Sequence, residues 1–188
     1  MVSRLDVESE PVVAGFTILV DGREKAPYRF TGLRADAAQQ NRPLIVPTEW
    51  AHLKTGDYAV QGFESQFCVE RKSLADLYNT LGQHRERFER EHQRLAEMRR
   101  AMVVVEAGWE EALKRPPERS KLRPKVVFRT ALSWFVKYGV PWQFCDGRRL
   151  AEVYTFRFLE KAWRASKEEP RNGQTQTEVN EEEVRRPA

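Results

Sequence analysis

The sequence predicts an α/β domain in which helices cover a mixed β-sheet, and three observations support this prediction. Apolar, strand-like runs alternate with amphipathic helical segments along the chain. The run AMVVVEA at 101–107 has the β-branched composition that is typical of a strand buried on both faces. The length of 188 residues is enough for one ordinary domain with a full core.

The first half of the chain contains most of the predicted strands. FTILVD at 16–21 predicts a buried strand that ends on a carboxylate, and RPLIVPTEWAHL at 42–53 holds an apolar run interrupted by Pro47. GDYAVQGFESQFCVERKSLADL at 56–77 predicts two more strands, joined by a loop at 62–65, and then the start of a helix.

Helical periodicity accounts for most of the remaining chain. SLADLYNTL predicts a helix with Ser73 as N-cap, Asp76 in a capping-box position and Gly82 as its end. A charged helix is expected at 84–100, a further helix at 126–138 closed by Gly139, and a last one at 148–165. A basic, proline-rich loop is expected at 114–125 and a short strand at 140–146.

Composition and charge predict the organisation of the whole chain. We expect a flexible leader at 1–13, one folded domain at 14–166 and a disordered polar tail at 167–188. The formal charge of +4 combines −2 in the tail with +6 in residues 1–166, which is compatible with a polyanionic partner. With no signal peptide and no apolar run near the roughly 20 residues that span a bilayer, we expect an intracellular protein without membrane contact.

The rarer residue types are expected to be structural. Cys68 and Cys145 lie in apolar passages, which favours buried free thiols over a disulfide. The five tryptophans are expected in the core rather than as base-stacking platforms, and the three histidines on the surface or on helices.

A group of charged residues in the segment 56–77 suggests a metal site. Strand alternation puts Cys68, Glu70 and Lys72 on one face. If 57–60 pairs antiparallel with 67–70, Asp57 lies opposite Glu70, at a Cα separation of roughly 4.5–5.5 Å. Two carboxylates so close repel each other unless a cation lies between them. A solvent-facing hairpin with ordinary surface charges is the alternative.

The chemistry of such a site would suit phosphodiester hydrolysis. Mg²⁺ often takes only one or two protein carboxylates and completes its octahedron with water and phosphate oxygens. Lys72 could orient or help deprotonate an attacking water and offset charge on the phosphate. VDGREK adds Asp21 and Glu24, which could converge on the same cation. Alternatively, Asp21 only ends a strand and Glu24 pairs with Arg23 or Lys25.

The combined pattern of VDGRE, GDY and VERKSLADL resembles the nuclease domain of the XPF family of structure-specific DNA endonucleases. This family is a branch of the PD-(D/E)XK superfamily, with a restriction-endonuclease-like central mixed sheet flanked by helices and a GDx(n)ERKx(3)D motif. The positions that match this motif are Gly56, Asp57, Glu70, Arg71, Lys72 and Asp76. The resemblance extends from about residue 16 to about residue 164.

The resemblance implies a role for each matching residue. Asp57 and Glu70 would ligate Mg²⁺ or Mn²⁺, with Asp21 close to the metal, and Lys72 would be catalytic. Arg71 and Asp76 would be essential neighbours, and Glu24 a supporting acid, although Asp76 also suits a helix-capping role. The candidate DNA contacts are Arg85, Arg87, Lys121, Arg123 and Lys125. A solvated helix face and a plain linker are the alternatives for these basic residues.

The resemblance also implies an activity and partners. It implies an endonuclease that cuts flap, fork or branched DNA, leaves 5′-phosphate and 3′-hydroxyl ends, and serves DNA repair or recombination without a small-molecule cofactor. Members usually also carry helix-hairpin-helix or helicase domains, and this sequence shows neither pattern, so we expect a stand-alone form. Its expected location is the cytoplasm or nucleoid of a bacterium or phage, or a eukaryotic nucleus. Members pair as homodimers or heterodimers, and the apolar segment 127–138 suits either burial or a dimer surface. The alternative functions are a non-catalytic DNA-binding or scaffold module and another PD-(D/E)XK activity.

Overall fold

A computed structural model describes residues 10–168 of the chain. The strands in this range are β1 (Val12–Val13), β2 (Ile18–Asp21), β3 (Leu33–Arg34), β4 (Pro43–Ile45), β5 (Thr48–Ala51), β6 (Tyr58–Val60), β7 (Phe67–Lys72), β8 (Arg100–Val105) and β9 (Trp142–Phe144). The α-helices in this range are α1 (Leu74–Gln83), α2 (Arg85–Ala96), α3 (Trp109–Lys114), α4 (Pro124–Tyr138) and α5 (Arg148–Glu168).

The larger of the two sheets is mixed, as predicted. Its strand order is β5-β2-β6-β7-β8-β9, in which β6 runs antiparallel to both β2 and β7 and the other neighbours are parallel. Strands β1, β4 and β3 form a separate three-stranded sheet. The α/β class with helices flanking a mixed sheet is therefore confirmed.

Each face of the large sheet has its own apolar core. One face packs Val20, Val69 and Val104 against Phe156 and Leu159 of α5. The other face belongs to a second cluster, which includes residues of α1, α2 and α4. Because residues alternate between the faces of a strand, Glu70 and Lys72 share this second face with Val103 and Val105. Their charged groups therefore lie on the side covered by α1, α2 and α4.

Two predicted helix ends are wrong. Helix α1 continues through Gly82 to Gln83, because a glycine inside a helix costs only about 1 kcal/mol relative to alanine, less than burial of the apolar face of α1 contributes. Helix α2 ends at Ala96 rather than at residue 100, because Arg100 already pairs with Phe67 in the sheet. The sequence patterns do not predict helix α3.

Other local predictions are confirmed. The hydroxyl of Ser73 accepts a hydrogen bond of 3.2 Å from the amide of Asp76 and caps α1. Gly139 closes α4 with a φ of 74° and donates its amide to the carbonyl of Phe135 at 2.8 Å. Cys68 and Cys145 are buried free thiols.

One tryptophan differs from the prediction. Trp50 is 64% exposed, because β5 is an edge strand with a neighbour on only one side. Trp134 is buried in the core on the side of α1, α2 and α4, and the partly buried Trp109 and Trp142 pack against that core. The partly buried Trp163 packs against the core on the side of α5.

The chain ends are only partly described. Val12–Val13, at the end of the predicted leader, pairs in parallel with Leu44 and Ile45, and α5 extends to Glu168. The rest of the leader and of the tail, residues 1–9 and 169–188, lies outside the described residues. Within residues 10–168, the structure contains no helix with the length and apolar character needed to cross a bilayer.

Candidate active site

The β6–β7 hairpin has the register that the sequence predicts. Tyr58 pairs with Val69 and Ala59 with Cys68, so Asp57, one residue before β6, lies opposite Glu70. The amide of Asp57 donates to the carbonyl of Val69 at 2.9 Å, and the amide of Arg71 donates to Asp57 Oδ2 at 2.7 Å. The backbone of β7 therefore fixes both the position and the orientation of the Asp57 carboxylate.

Gly56 makes this placement of Asp57 possible. Its φ is +77°, and a Cβ at this position would lie 2.9 Å from the sulfur of Cys68 and 3.2 Å from the carbonyl oxygen of Val69. Only glycine combines this backbone conformation with so close an approach to β7. The need for glycine at the first position of the GD pair therefore has a structural explanation.

Lys72 lies beside the two carboxylates in a nearly dry environment. Glu70 is only 3% exposed, and Lys72 Nζ lies 2.5 Å from Glu70 Oε1 and 3.4 Å from Asp76 Oδ2. The same ammonium lies 4.6 Å from the centre of the Phe88 ring of α2, at a distance that permits a cation–π interaction. Asp76 thus contributes to both the first turn of α1 and the environment of Lys72.

The electrostatics of the cluster favour an added positive charge. Burial, with the charge of Asp57 as the next cause, raises the pKa of Glu70 well above its ordinary value. Burial also raises the pKa of Asp57 to about 7. Burial would lower the pKa of Lys72, but the carboxylates of Glu70 and Asp76 outweigh this effect and raise it. Lys72 is therefore an ammonium at neutral pH.

The residues present fit a divalent cation. Glu70 Oε2 is buried and has no hydrogen-bond partner in the described structure, and such an atom is costly unless a further ligand satisfies it. No three His, Cys, Asp or Glu side chains within residues 10–168 already form a group that could hold an ion. Asp57 and Glu70 would therefore supply two ligands, and water or substrate oxygens the others, which is the arrangement that Mg²⁺ commonly adopts.

Asp21 lies next to this pair but is occupied by other contacts. Its amide donates to the carbonyl of Asp57 at 2.9 Å. Its carboxylate accepts hydrogen bonds from Arg23 Nε at 2.7 Å and from the amide of Leu53 at 2.8 Å. Burial opposes ionisation of Asp21, but these bonds hold its pKa below the ordinary value. Arg23 would have to move before Asp21 could ligate a cation.

Glu24 does not pair with Arg23 or Lys25, which was the alternative for this residue. It contacts Arg71 instead, with Arg71 Nη1 donating to Glu24 Oε1 at 3.1 Å. Arg71 points away from the face that carries Glu70 and Lys72, as strand alternation requires. Glu24 and Arg71 thus lie beside the carboxylate cluster and form a separate charged network with Glu106.

Sequence reasoning missed three charged residues near the site. Glu106 and Arg148 belong to the network around Arg71, and the charge of Glu91 on α2 contributes to the raised pKa of both Asp57 and Glu70. Glu106 follows a buried strand directly, as Asp21 ends one, and that signal could have identified it. No comparable local signal marks Glu91 or Arg148.

The predicted DNA contacts lie in two places. Arg85 donates to the hydroxyl of Thr130 at 2.7 Å and its guanidinium lies 5.2 Å from the centre of the Trp134 ring, so it joins α2 to α4. Arg87 is exposed. Lys121, Arg123 and Lys125 are exposed in or just after the basic loop. This loop and α1 line a groove of about 620 Å³, formed by Ala75, Tyr78, Asn79, Gly82, Gln83, Pro117, Arg119, Ser120, Lys121 and Leu122.

Comparison with known proteins identifies the family. The family model described as ERCC4 domain matches residues 20–158. The solved structure of XPF from Aeropyrum pernix is similar, with a TM-score of 0.58 and 18% identity over 79% of this chain and 65% of that chain. The structure of XPF from Aeropyrum pernix in complex with DNA has a TM-score of 0.56 and 18% identity over 80% of this chain and 66% of that chain. No curated protein sequence matches.

These matches establish the family and the fold of the chain. This chain spans about two thirds of the length of the XPF chains that it resembles and shares their fold. The family match covers most of the chain and includes both hairpin carboxylates and Lys72. The chain therefore belongs to the ERCC4 domain family, and its fold is that of an XPF nuclease domain.

Proposed function

We propose that this chain is a DNA endonuclease that depends on Mg²⁺ or Mn²⁺. The observation that carries the proposal is the placement of Asp57 and Glu70 across one hairpin, with a buried oxygen of Glu70 unpartnered in the described structure. Family membership supports the class of activity. The expected products carry 5′-phosphate and 3′-hydroxyl ends, and the expected substrates are flap, fork or branched DNA.

The side chains of the site have separate tasks in this proposal. Asp57 and Glu70 hold the cation, and Asp21 joins them if Arg23 moves. When bound, the cation would make the attacking water more acidic and neutralise charge on the phosphate. Lys72, which is charged at neutral pH, orients the water and stabilises the negative charge that develops on the phosphate oxygens. Asp76 and Phe88 keep the ammonium of Lys72 in place.

The basic loop is the second part of the proposal. Helix α1 begins two residues after Lys72, and one of its sides lines the groove together with the basic loop. A DNA strand that leaves the carboxylate cluster along α1 would meet Lys121 and Arg123 within this groove or beside it. These residues would contact phosphates and contribute affinity without reading sequence. Arg87 would contact DNA from α2, whereas the contacts of Arg85 favour a structural role.

Pairing with a second copy of the chain is the third part of the proposal. The inward side of α4 buries Val127, Ala131 and Trp134, so the monomer core accounts for them. Its outward side exposes Phe128, Leu132, Phe135 and Val136, which follow each other at helical spacing. A contiguous exposed apolar face of this kind is typical of an interaction surface.

Cleavage assays test the proposed activity. Purified protein is incubated with flap, fork and single-stranded DNA, in Mg²⁺ or in EDTA. We expect cleavage only with metal, and at least about a 10²-fold loss of rate in Asp57→Asn and in Lys72→Ala, because each removes a charge from the reacting centre. Lys161→Ala, which alters an exposed lysine on α5, is the matched control and should cut like the wild type.

Three results would contradict the activity. They are a metal-loaded wild type that cuts no substrate, cleavage that persists in EDTA, and Asp57→Asn cleaving at the wild-type rate. DNA binding without turnover would instead indicate a non-catalytic module. Products confined to free ends, with circular DNA left intact, would indicate an exonuclease.

A further inference from the structure

Glu106 is an acid that the proposed reaction does not use; its side chain is only 9% exposed, and two arginines bind it. It follows β8, and its backbone amide donates to the carbonyl of Lys72 at 2.9 Å. Arg71 binds it through two bonds, from Nε to Oε1 at 2.8 Å and from Nη2 to Oε2 at 2.7 Å. This fork geometry fixes the plane of the Arg71 guanidinium.

The remaining guanidinium nitrogen of Arg71 holds Glu24. Arg71 Nη1 donates to Glu24 Oε1 at 3.1 Å, and the amide of Ala26 donates to the same oxygen at 2.6 Å. Both carboxylates and the arginine are about nine-tenths buried. The orientation of Glu106 therefore sets the orientation of Arg71, and Arg71 sets that of Glu24.

Arg148, at the start of α5, is the second arginine that binds Glu106. Its Nη1 donates to Glu106 Oε1 at 2.8 Å, and its Nη2 donates to the carbonyls of Ala26 and Pro27, both at 2.8 Å. The guanidiniums of Arg148 and Arg71 lie 4.8 Å and 5.7 Å from the centre of the Tyr28 ring. Glu106 thus connects β7, α5 and the segment that follows β2.

The position of Glu24 relates this network to the carboxylate cluster. The segment from Asp21 to Glu24 is a tight turn, in which the amide of Glu24 donates to the carbonyl of Asp21 at 3.0 Å. Asp21 is in turn bonded to the backbone of Asp57. A shift of Glu24 would therefore reach the site through Asp21.

We propose that Glu106, together with Arg148, is a positioning residue that holds Arg71 and, through it, Glu24 beside the metal-binding carboxylates. This inference rests on the proposed nuclease function. Stability alone is a weak reason for such a network, because buried ion pairs often contribute little compared with apolar residues of similar volume. Control of the position of the Glu24 carboxylate is a more specific reason for the network.

The test compares two buried glutamates that each bind two arginines. Glu106→Gln removes the charge from the network, whereas Glu160→Gln makes the same change on α5, where Arg157 and Arg164 donate to Glu160 at 2.7 Å and 2.8 Å. Glu160 lies in the second half of α5, whereas Arg148 begins this helix. None of the contacts described for Glu160 involves the carboxylate cluster. Both variants should lose a similar amount of thermal stability.

Only Glu106→Gln should affect the site. We expect its kcat for DNA cleavage to fall by about 10–100-fold, the range usual for residues that support a metal site from outside its ligands, while KM for DNA stays within about twofold because Arg71 and Arg148 occupy the Glu106 carboxylate. Mn²⁺ affinity, measured by calorimetry without DNA, should weaken in Glu106→Gln but not in Glu160→Gln. In a Glu24→Gln background, Glu106→Gln should cause no further loss of kcat or of Mn²⁺ affinity, because both act through the same acid.

A readout that needs neither metal nor DNA separates this inference from the proposed function. In NMR spectra of the wild type, the Arg71 Nε–H should exchange slowly with solvent, and Glu106→Gln should speed its exchange. If the wild type cut no DNA but this effect and the Mn²⁺ effect remained, the proposed activity would fail while the positioning role stood. Equal behaviour of Glu106→Gln and Glu160→Gln in all assays, or additive losses in the double variant with Glu24→Gln, would overturn the positioning role.

Discussion

At the scale of single residues, the site depends on backbone positions as much as on its charged side chains. Asp57 is held by two hydrogen bonds with the backbone of β7, and it can approach β7 only because Gly56 has no side chain. A motif glycine beside an acidic residue is easily regarded as a flexible linker. Here the glycine is needed because a Cβ would collide with Cys68 and the backbone of Val69.

Substitution of Gly56 tests this role against a matched glycine. Gly56→Ala should destabilise the fold in two ways, since alanine is strained at a φ of +77° and its Cβ would lie 2.9 Å from the sulfur of Cys68. Gly62→Ala meets a similar φ of +80° with no atom within 4 Å. We expect a loss of about 1–2 kcal/mol in unfolding free energy for Gly62→Ala, and a further 1–3 kcal/mol or so for Gly56→Ala from overpacking.

Urea denaturation of the two variants measures this difference. Gly56→Ala should also lose Mn²⁺ affinity, because Asp57 shifts with the strand, while Gly62→Ala keeps it. Equal destabilisation of the two variants would show that the contact with Cys68 is unimportant.

The residue scale also shows how far sequence reasoning reaches. Strand alternation and hairpin symmetry were enough to place Asp57 opposite Glu70 and beside Lys72, since both rules act over a few residues. The pairing of Arg71 with Glu24 and Glu106 joins positions 47 and 35 residues apart, and no local period relates such positions. For the same reason, the occupation of Asp21 by Arg23 and Leu53 became visible only in the folded chain.

At the scale of secondary-structure elements, α2 packs against the site through Phe88, which contacts the ammonium of Lys72. Phe88 places its ring under the ammonium of Lys72, and one turn later His92 is fully buried among Phe88, Trp134, Tyr138 and Trp142. Trp142 Nε1 donates to His92 Nε2 at 3.4 Å. The position of α2 under Lys72 therefore depends on a neutral histidine within an aromatic cluster.

This histidine should make the stability of the fold depend on pH. Burial lowers the pKa of His92 to about 4, although the nearby charge of Glu89 acts in the opposite direction. An unfolded histidine titrates near 6.5, so the unfolded state binds more protons between pH 6.5 and 4, and stability falls as the pH falls through this window. At pH 4, His92 lowers the free energy of unfolding by at most about 3 kcal/mol relative to neutral pH.

Urea unfolding at several values between pH 7.5 and 4.5 checks this expectation. His92→Phe should lose less stability on acidification than the wild type, because phenylalanine has no proton to take up. His52→Gln, an exposed change in the segment after β5, should follow the wild-type curve. A His92→Phe curve parallel to that of the wild type would rule out His92 as the cause.

Helix ends show why element boundaries were harder to predict than elements. Gly82 carries a local stop signal, yet burial of Leu77, Tyr78 and Leu81 extends α1 past it. The end of α2 is set by the entry of Arg100 into the sheet, a long-range pairing with β7. Ser73 and Gly139, by contrast, act through bonds within one turn, and both were predicted correctly.

At the scale of the whole molecule, α4 divides its apolar residues between the core and the surface. The inward residues belong to the apolar cluster that also includes residues of α1, α2 and β8, and the outward residues remain exposed, with Val136 84% accessible. An apolar side chain so exposed contributes little to the stability of the monomer. Pairing with a second copy would bury it.

A charge on the outward face of α4 tests the proposed pairing. Val136→Glu should cost the monomer little, since the side chain is already in water, but it should place a charge inside the dimer interface. We expect light scattering to give twice the chain mass of 22.0 kDa for the wild type and the single mass for Val136→Glu. Leu150→Glu, at an exposed leucine of α5, should remain a dimer.

A wild type that stays monomeric at high concentration would contradict the dimer. So would a Val136→Glu variant that is dimeric to the same extent as the wild type.

The loop between β6 and β7 has a practical consequence. The ladder between these strands fixes the distance between Asp57 and Glu70, while Glu64 and Ser65 at the tip of the loop are exposed. Lengthening a surface loop costs little entropy, roughly 0.6 kcal/mol for each doubling. The variable spacing in GDx(n)ERK is thus physically inexpensive, and a fluorophore or an affinity tag inserted between Glu64 and Ser65 would report on the protein without disturbing its carboxylates.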